Sequence, residues 1–330
     1  MKTVLITGAT GFIGGRIIEK LFLQNNFRVV AGVHSWVRAA RIGRFPINFR
    51  QIDVLKRDTL TQAFNDVDVI IHCASGSYSV INTGTKNVLE VAFEKKVKHL
   101  IYLSSVAVYE GVTGVVDELS PIASKGTDWY SKAKINAENH CQFLIALGFP
   151  VTIIRPTIVY GPHSRLWTMS TASRLKSGSI KISPKANGIC NLLYIDDLVD
   201  AINIVLHNKK AVNETFIVNG PETLSWNEYF ILFNSMLGYK DLKENGFLDR
   251  YLNQFKSLSL EPVRTLARFL LSNHYNLISE VYSQNLFFKL IMRSIESNMV
   301  NTHSLSNLKL FRQSAIFKAD KIERILGFKP

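Results

Sequence analysis

The segment Thr7-Gly8-Ala9-Thr10-Gly11-Phe12-Ile13-Gly14 constrains the fold of this chain more than any other stretch. It follows a short β-branched run, residues 2–7, and precedes residues of helical period, 14–23. Gly8 permits a tight turn, Gly11 lets the backbone approach a pyrophosphate, and Gly14 allows a helix to pack closely on a strand. The N-terminus of that helix then offers free N–H groups and a partial positive charge to an anion. A glycine-rich turn can also be a mere tight connection. Its place at the first strand-to-helix crossing of an alternating chain favours a dinucleotide.

The alternation continues for about 160 residues. Apolar runs at 27–33, 47–52, 67–73, 97–103 and 151–155 read as strands, and helical period returns at 83–94 and 129–147. Strands of continuous apolar character separated by helices imply a parallel sheet covered on both faces and wound right-handedly. The expected fold is α/β, a Rossmann doubly wound sheet over residues 1–161. A smaller, mainly helical C-terminal substrate lobe follows over 162–330, intertwined with the first domain around 191–220. At 330 residues the chain exceeds the usual size of one hydrophobic core, which agrees with two lobes.

Lys and Arg number 39 against 26 Asp and Glu, a net charge of +13 that favours anionic partners. No nucleic-acid recognition motif accompanies the charge, so nucleic acid is not expected. The basic residues Arg165, Arg174, Lys176, Lys181 and Lys185 lie in 162–191, which reads as a loop without a single acid. Arg165 and Lys181 are the candidates for substrate phosphates. Residues 240–330 are helical in period. Within them 266–271 and 287–293 are amphipathic and basic, and read as caps on the substrate lobe in preference to a membrane-surface patch. Cys73, Cys141 and Cys190 are odd in number and widely spaced, which disfavours a disulfide framework or zinc module and suits the cytoplasm. No metal site is expected, and no apolar run nears the roughly 20 residues of a membrane span.

An acid at the end of the second strand would accept from the ribose 2′-hydroxyl of NAD and repel a 2′-phosphate. This chain has Val33-His34-Ser35, with Arg38 and Arg41 close behind. NADP is therefore preferred over NAD, with His34 and Arg38 as contacts, unless these side chains simply face solvent. Asp53, after the third strand, can accept from the adenine amino group or cap the following helix.

Tyr130-Ser131-Lys132-Ala133-Lys134 places Tyr130 and Lys134 on one helix face. A phenol ionises near pH 10, and lowering that by about three units takes roughly 4 kcal/mol of differential stabilisation. A neighbouring ammonium and an oxidised nicotinamide are suited to provide it. Tyr130 could then exchange a proton with a substrate hydroxyl or carbonyl, and Ser105 could hydrogen-bond the reacting oxygen. Tyr239 and Lys243 share the spacing without supporting context.

With His72-Cys73-Ala74, Asn82 through Asn87, Ser104-Ser105 through Tyr109, Arg155-Pro156 through Pro162, and Tyr194 through Leu198, the chain resembles the extended short-chain dehydrogenase/reductase family. The similar branch is the NAD-dependent epimerase/dehydratase group that handles nucleotide sugars. The resemblance spans about residues 1–240 and returns at Leu326-Gly327-Phe328. It implies Ser105, Tyr130 and Lys134 as a catalytic triad. Gly8, Gly11, Phe12, Ile13, Gly14, Asp53, Val54, Ala74 and Pro156 fall at cofactor-contacting positions. It also implies a homodimer formed through helices near 83–94 and 129–147. The sequence departs from the family pattern at Val106-Ala107, where dehydratases carry an Asp-Glu pair, so dehydration is disfavoured. Ile158 and Cys190 replace the Asn and Arg of many epimerases. The expected activity is epimerisation or ketone reduction on a nucleotide-activated sugar. Reduction or oxidation of a hydrophobic, sterol-like or flavonoid-like alcohol is the alternative, and a scaffold without turnover the least favoured.

Overall fold

The computed structural model describes residues 1–123, 128–183, 187–240, 242–244 and 310–330. In chain order the elements are β1 (Thr3–Thr7), α1 (Phe12–Gln24), β2 (Arg28–Val33), β3 (Asn48–Gln51), α2 (Arg57–Ala63), β4 (Val69–His72) and α3 (Tyr78–Glu94). Then come β5 (His99–Leu103), β6 (Gly114–Val116), α4 (Trp129–Ala146), β7 (Val151–Pro156), β8 (Ile158–Tyr160) and α5 (Ser170–Lys176). They are followed by β9 (Ile189–Tyr194), α6 (Ile195–His207), β10 (Thr215–Val218), β11 (Thr223–Ser225), α7 (Trp226–Met236), β12 (Ala315–Phe317) and a final helix, Asp320–Leu326.

Seven parallel strands form the central sheet in the order β10-β7-β5-β4-β1-β2-β3. This is the doubly wound Rossmann arrangement that the alternating pattern predicts. Both faces are covered, which explains why the strands read as unbroken apolar runs. On β1, Val4 and Ile6 join the core cluster that contains α1 and α6, while Leu5 faces the cluster of α2, α3 and α4. Burying each such side chain contributes roughly 1.5–3 kcal/mol. The strand order reverses between β1 and β4, and the crevice outside their carboxyl ends is where ligands bind in sheets of this kind.

Several elements differ from the sequence expectation. Helix α3 begins at Tyr78 because Ser77 caps it, its hydroxyl accepting from the Val80 N–H at 3.4 Å. Its polar first turns are held by α4: Asn136 donates to the Tyr78 hydroxyl (2.7 Å), and His140 meets Asn82 (3.2 Å). Residues 162–191 are not a plain loop, since Arg165–Met169 is a π-helical turn running into α5. Within 240–330, Ala315–Phe317 is a strand paired in parallel with β6, a partner that three residues of sequence cannot reveal. The stretches 266–271 and 287–293, and Lys185, lie outside the described residues.

The chain divides into two compact units. The first comprises Met1–Ser164, Asn191–Thr223 and Ala315–Pro330, and holds the central sheet. The second comprises Arg165–Cys190 and Leu224–Ser314. Its described part is organised around Trp226, whose ring lies 4.5 Å from Phe311 and 5.5 Å from Trp167. A capping box of Ser225 and Glu228 starts α7 there, and Tyr229 donates to the Trp167 carbonyl. Among the described residues no helix is long and apolar enough to cross a membrane.

Candidate active site

The glycine turn stands at the point where the strand order reverses. Gly8 adopts φ +66°, and a Cβ there would lie 2.7 Å from the Ala74 backbone nitrogen. A Cβ on Gly14 would meet the Gly8 carbonyl oxygen at 2.4 Å. Both positions therefore require glycine, and Ala74 at the end of β4 forms the opposite wall of the turn. Gly11 caps α1 with an extended backbone and no side chain, and no acid occupies the first turn. Its N–H donates to the Gly8 carbonyl (2.9 Å), closing the turn. Phe12 and Ile13 open the helix and pack half-buried on the core. The uncapped N–H groups and the helix dipole fit a pyrophosphate.

His34 and Arg38 both lie exposed beyond β2. No acid is near His34 along the chain, yet in space the Asp53 carboxylate stands 4.0 Å from its Nε2. Asp53 also accepts from the Leu55 N–H (3.0 Å), so it shapes the turn ahead of α2. Val54 is buried, and its carbonyl accepts from Asn87 at 3.0 Å. The residue that sequence reasoning passed over is Arg41. Its guanidinium donates to the Phe12 carbonyl (3.2 Å) and lies against Gly15, where a Cβ would be 2.6 Å from Nη2. Burial pushes its pKa down, as expected of a cation held with little compensation. The 3₁₀ helix Trp36–Arg41 turns Arg41 back onto the glycine turn and leaves Arg38 in solvent. The signal was the three-residue spacing of the two arginines, whose faces depend on a helix the sequence does not announce.

The chemical groups converge at the carboxyl ends of β5 and β7. Asp128 caps α4, accepting from the Tyr130 and Ser131 N–H groups at 2.7 and 3.0 Å. This fixes Tyr130 in the first turn, half-buried. Ser105 caps the 3₁₀ helix Val106–Tyr109 by accepting from the Ala107 N–H (3.1 Å). Burial holds the Tyr130 phenol above its ordinary range, the Ser105 side chain opposes this, and the Asp128 carboxylate adds to it. Lys134, one turn on, is buried with Nζ 5.9 Å from the Tyr130 ring centroid. That ammonium donates to the Leu103 carbonyl (2.6 Å) and the Tyr102 hydroxyl (3.3 Å). Burial lowers its pKa to about 8, and the Glu138 carboxylate pulls the other way.

A buried ion pair lies behind these groups. Arg155 donates to Glu138 at 2.5 and 3.0 Å, Ser104 donates to the same carboxylate (2.5 Å), and Arg155 also bonds the Tyr109 hydroxyl. Ser104, beside Ser105, is thus part of the frame. Pro156 ends β7 in the buried layer. Arg165 and Lys181 belong to the second unit, Arg165 exposed and Lys181 half-buried. Tyr239 and Lys243 follow the end of α7 outside any helix, so their spacing puts them on no common face. The geometry brings a phenol, a serine hydroxyl and a buried ammonium together beside a turn shaped for phosphate, a set suited to proton exchange with a bound hydroxyl or carbonyl.

Residues 4–219 match the profile of the NAD dependent epimerase/dehydratase family. UDP-glucose 4-epimerase of Vibrio cholerae is 29% identical over 249 residues, covering 68% of this chain and 72% of that protein. The 3beta-hydroxysteroid-dehydrogenase/decarboxylase isoform 1 of Arabidopsis thaliana is 26% identical over 274 residues, covering 72% of this chain and 61% of that one. The crystal structure of UDP-glucuronic acid 4-epimerase from Bacillus cereus in complex with NAD superposes with TM-score 0.65 at 24% identity. That superposition covers 74% of this chain and 87% of the other, and shows a shared fold.

Proposed function

The chain belongs to the NAD-dependent epimerase/dehydratase family, and from that premise we propose that it epimerises or reduces a nucleotide-activated sugar with Tyr130 as the acid/base. The observation that carries this reading is the buried Lys134 ammonium beside the Tyr130 ring, one helix turn away on α4. A nicotinamide dinucleotide, when bound, supplies hydride acceptance and donation. Gly8, Gly11 and Gly14 with the first N–H groups of α1 would hold its pyrophosphate, flanked by Phe12 and Ile13. Asp53 and Val54 would meet the adenosine end, and Ala74 and Pro156 lie where the strands end toward the reacting ring.

Ser105 would hold the substrate oxygen that Tyr130 protonates or deprotonates. Burial raises the phenol, so positive charge must reverse that for the base to work near neutral pH. Lys134 is the charge this chain provides. NADP is the favoured cofactor, since Arg41 beside the turn and the exposed His34 and Arg38 suit a 2′-phosphate. Arg165 and Lys181 are assigned to substrate phosphates, and charge reversal at either should raise KM and leave cofactor affinity intact. A homodimer through α3 and α4 would cover Phe93, Phe143 and Leu147, large apolar side chains exposed at those helices.

Similarity to the Arabidopsis hydroxysteroid enzyme, together with Ile158 and Cys190, supports a second reading in which the substrate is a hydrophobic alcohol. Thermal shift with NADH, NADPH, a panel of nucleotide sugars and a panel of sterol ketones separates the two, because a ligand that binds the native state raises Tm. Stabilisation by a nucleotide sugar, with turnover falling about 10²–10⁴-fold in Tyr130→Phe, is the expected result. Response to apolar ketones alone, or full turnover by Tyr130→Phe, overturns it.

A further inference from the structure

Pro156, at the end of β7, carries no N–H of its own, so its place is set through its two neighbours. Both neighbours lead to β12, the last strand of the chain. The Thr157 N–H donates to the Val218 carbonyl (3.0 Å), which carries the β7–β10 ladder one residue past Pro156. The Thr157 hydroxyl donates to Asn219 Oδ1 (2.8 Å), and Asn219 Nδ2 donates to the Phe317 carbonyl on β12 (3.0 Å). On the other side, Arg155 donates to the Tyr109 hydroxyl, and the Tyr109 ring lies 6.0 Å from that of Phe317. Tyr109, Arg155, Thr157, Asn219 and Phe317 are all buried, and all belong to the first unit.

β12 is a fixed point because both of its edges are occupied. One edge pairs with β6. On the other, Asn191 Nδ2 donates to the Ala315 carbonyl (2.9 Å) and Asn191 Oδ1 accepts from the Phe317 N–H (3.2 Å). Those are the two bonds that a residue of a parallel neighbouring strand would make, here supplied by one buried amide. The next carbonyl on that edge, of Phe317, goes to Asn219. A carbonyl only accepts, so it turns the Asn219 nitrogen toward β12 and the oxygen toward Thr157, whose hydroxyl must then donate. We propose that Asn219 and Thr157 are positioning residues that hold Pro156 as the wall for the nicotinamide end of the cofactor, with β12 as their anchor. The glycine turn grips the pyrophosphate through α1 and β1, far along the sheet from β10, so the two ends of the dinucleotide are held by separate devices.

This inference rests on the reading of Pro156 as a cofactor contact, and its test separates the two. Emission of bound NADPH reports the surroundings of the nicotinamide ring in the full chain without any substrate. Competition by 2′-phospho-ADP-ribose, which has the same phosphates and no nicotinamide, reports the glycine turn alone. In Asn219→Ala and in the near-isosteric Thr157→Val, NADPH should bind about 2- to 10-fold more weakly, the range for one hydrogen bond, and its emission should fall toward that of free NADPH. Affinity for 2′-phospho-ADP-ribose should stay within about twofold of wild type in both variants, since its contacts are untouched. Thr157→Ser, which keeps the hydroxyl, should restore NADPH binding and emission. General loosening of the fold would weaken both ligands together. NADPH affinity and emission unmoved in Thr157→Val, or equal losses for the two ligands, overturns the proposal. A wild-type protein that binds both ligands equally and leaves NADPH emission as it is in water would instead remove Pro156 from the cofactor site, and this proposal with it.

Discussion

Replacing Glu138 by Gln isolates the ion pair on which the site is framed. The Glu138 and Arg155 side chains are 3% and 4% exposed, joined through two nitrogens of the guanidinium. Gln keeps the shape and removes the charge, so a guanidinium remains buried without its counter-ion. Breaking a buried pair from one side costs about 3–5 kcal/mol, far above the 0–1 kcal/mol of an exposed pair. Urea unfolding should show that loss as a lower midpoint at unchanged slope. Arg155→Met should be destabilising for the mirror reason. The double variant Glu138→Gln with Arg155→Met should lose less than the two single losses added, because neither charge is then left alone. The same Gln removes the carboxylate that offsets burial at Lys134, so that lysine should titrate lower still. A cost below about 1 kcal/mol for Glu138→Gln, or strict additivity in the cycle, would refute the reasoning.

Gly14→Ala should abolish dinucleotide binding by fluorescence titration, since its Cβ would stand 2.4 Å from a backbone oxygen that cannot move without opening the turn. Micromolar binding by that variant would show that the turn is not the cradle. His72 and His99 are held neutral by burial, with pKa values lowered to about 3 and about 4. The unfolded chain takes up protons near pH 6.5 while the folded chain does not, so stability is full above that pH and falls as pH drops from 6.5 toward 5, by up to about 2–3 kcal/mol per pH unit. Flat stability across that window would contradict the burial assignment. Arg41→Ala should weaken NADPH binding more than NADH binding, with Arg38→Ala smaller in effect. Equal losses for the two cofactors would end the 2′-phosphate argument.

The layered sheet was legible because its physics is local. A strand buried on both faces reads as continuous apolar sequence, and Gly8 and Gly14 are required by backbone geometry that no other residue satisfies. Helix α4 was legible for a different reason. Ala133 and Ala137 on its buried face are small enough to seat it against the sheet, which puts Lys134 and Glu138 in the interior and Tyr130 at the entrance. What stayed hidden depends on partners distant in the chain. Helix α2 is a seven-residue segment with two buried residues, too short for its period to stand out. Strand β12 exists because β6 receives it, about two hundred residues away in sequence.

The cofactor end shows the same limit at the scale of one side chain. From sequence, His34, Arg38 and Arg41 are three basic residues in one stretch, and proximity to the strand end favours the first two. The chain instead enters a 3₁₀ helix at Trp36, with three residues per turn, so Arg38 and Arg41 should share a face. They part because Gly15 offers a flat surface on α1 and the Phe12 carbonyl accepts a hydrogen bond, and only Arg41, at the end of the helix, reaches both. A single methyl group at residue 15 would fill the space that the guanidinium occupies. Gly15→Ala should therefore displace Arg41 while leaving Gly8, Gly11 and Gly14 intact, and should lower affinity for NADPH selectively. If affinity for both cofactors survives that substitution, the guanidinium has no part in binding, and the exposed His34 and Arg38 must carry the phosphate.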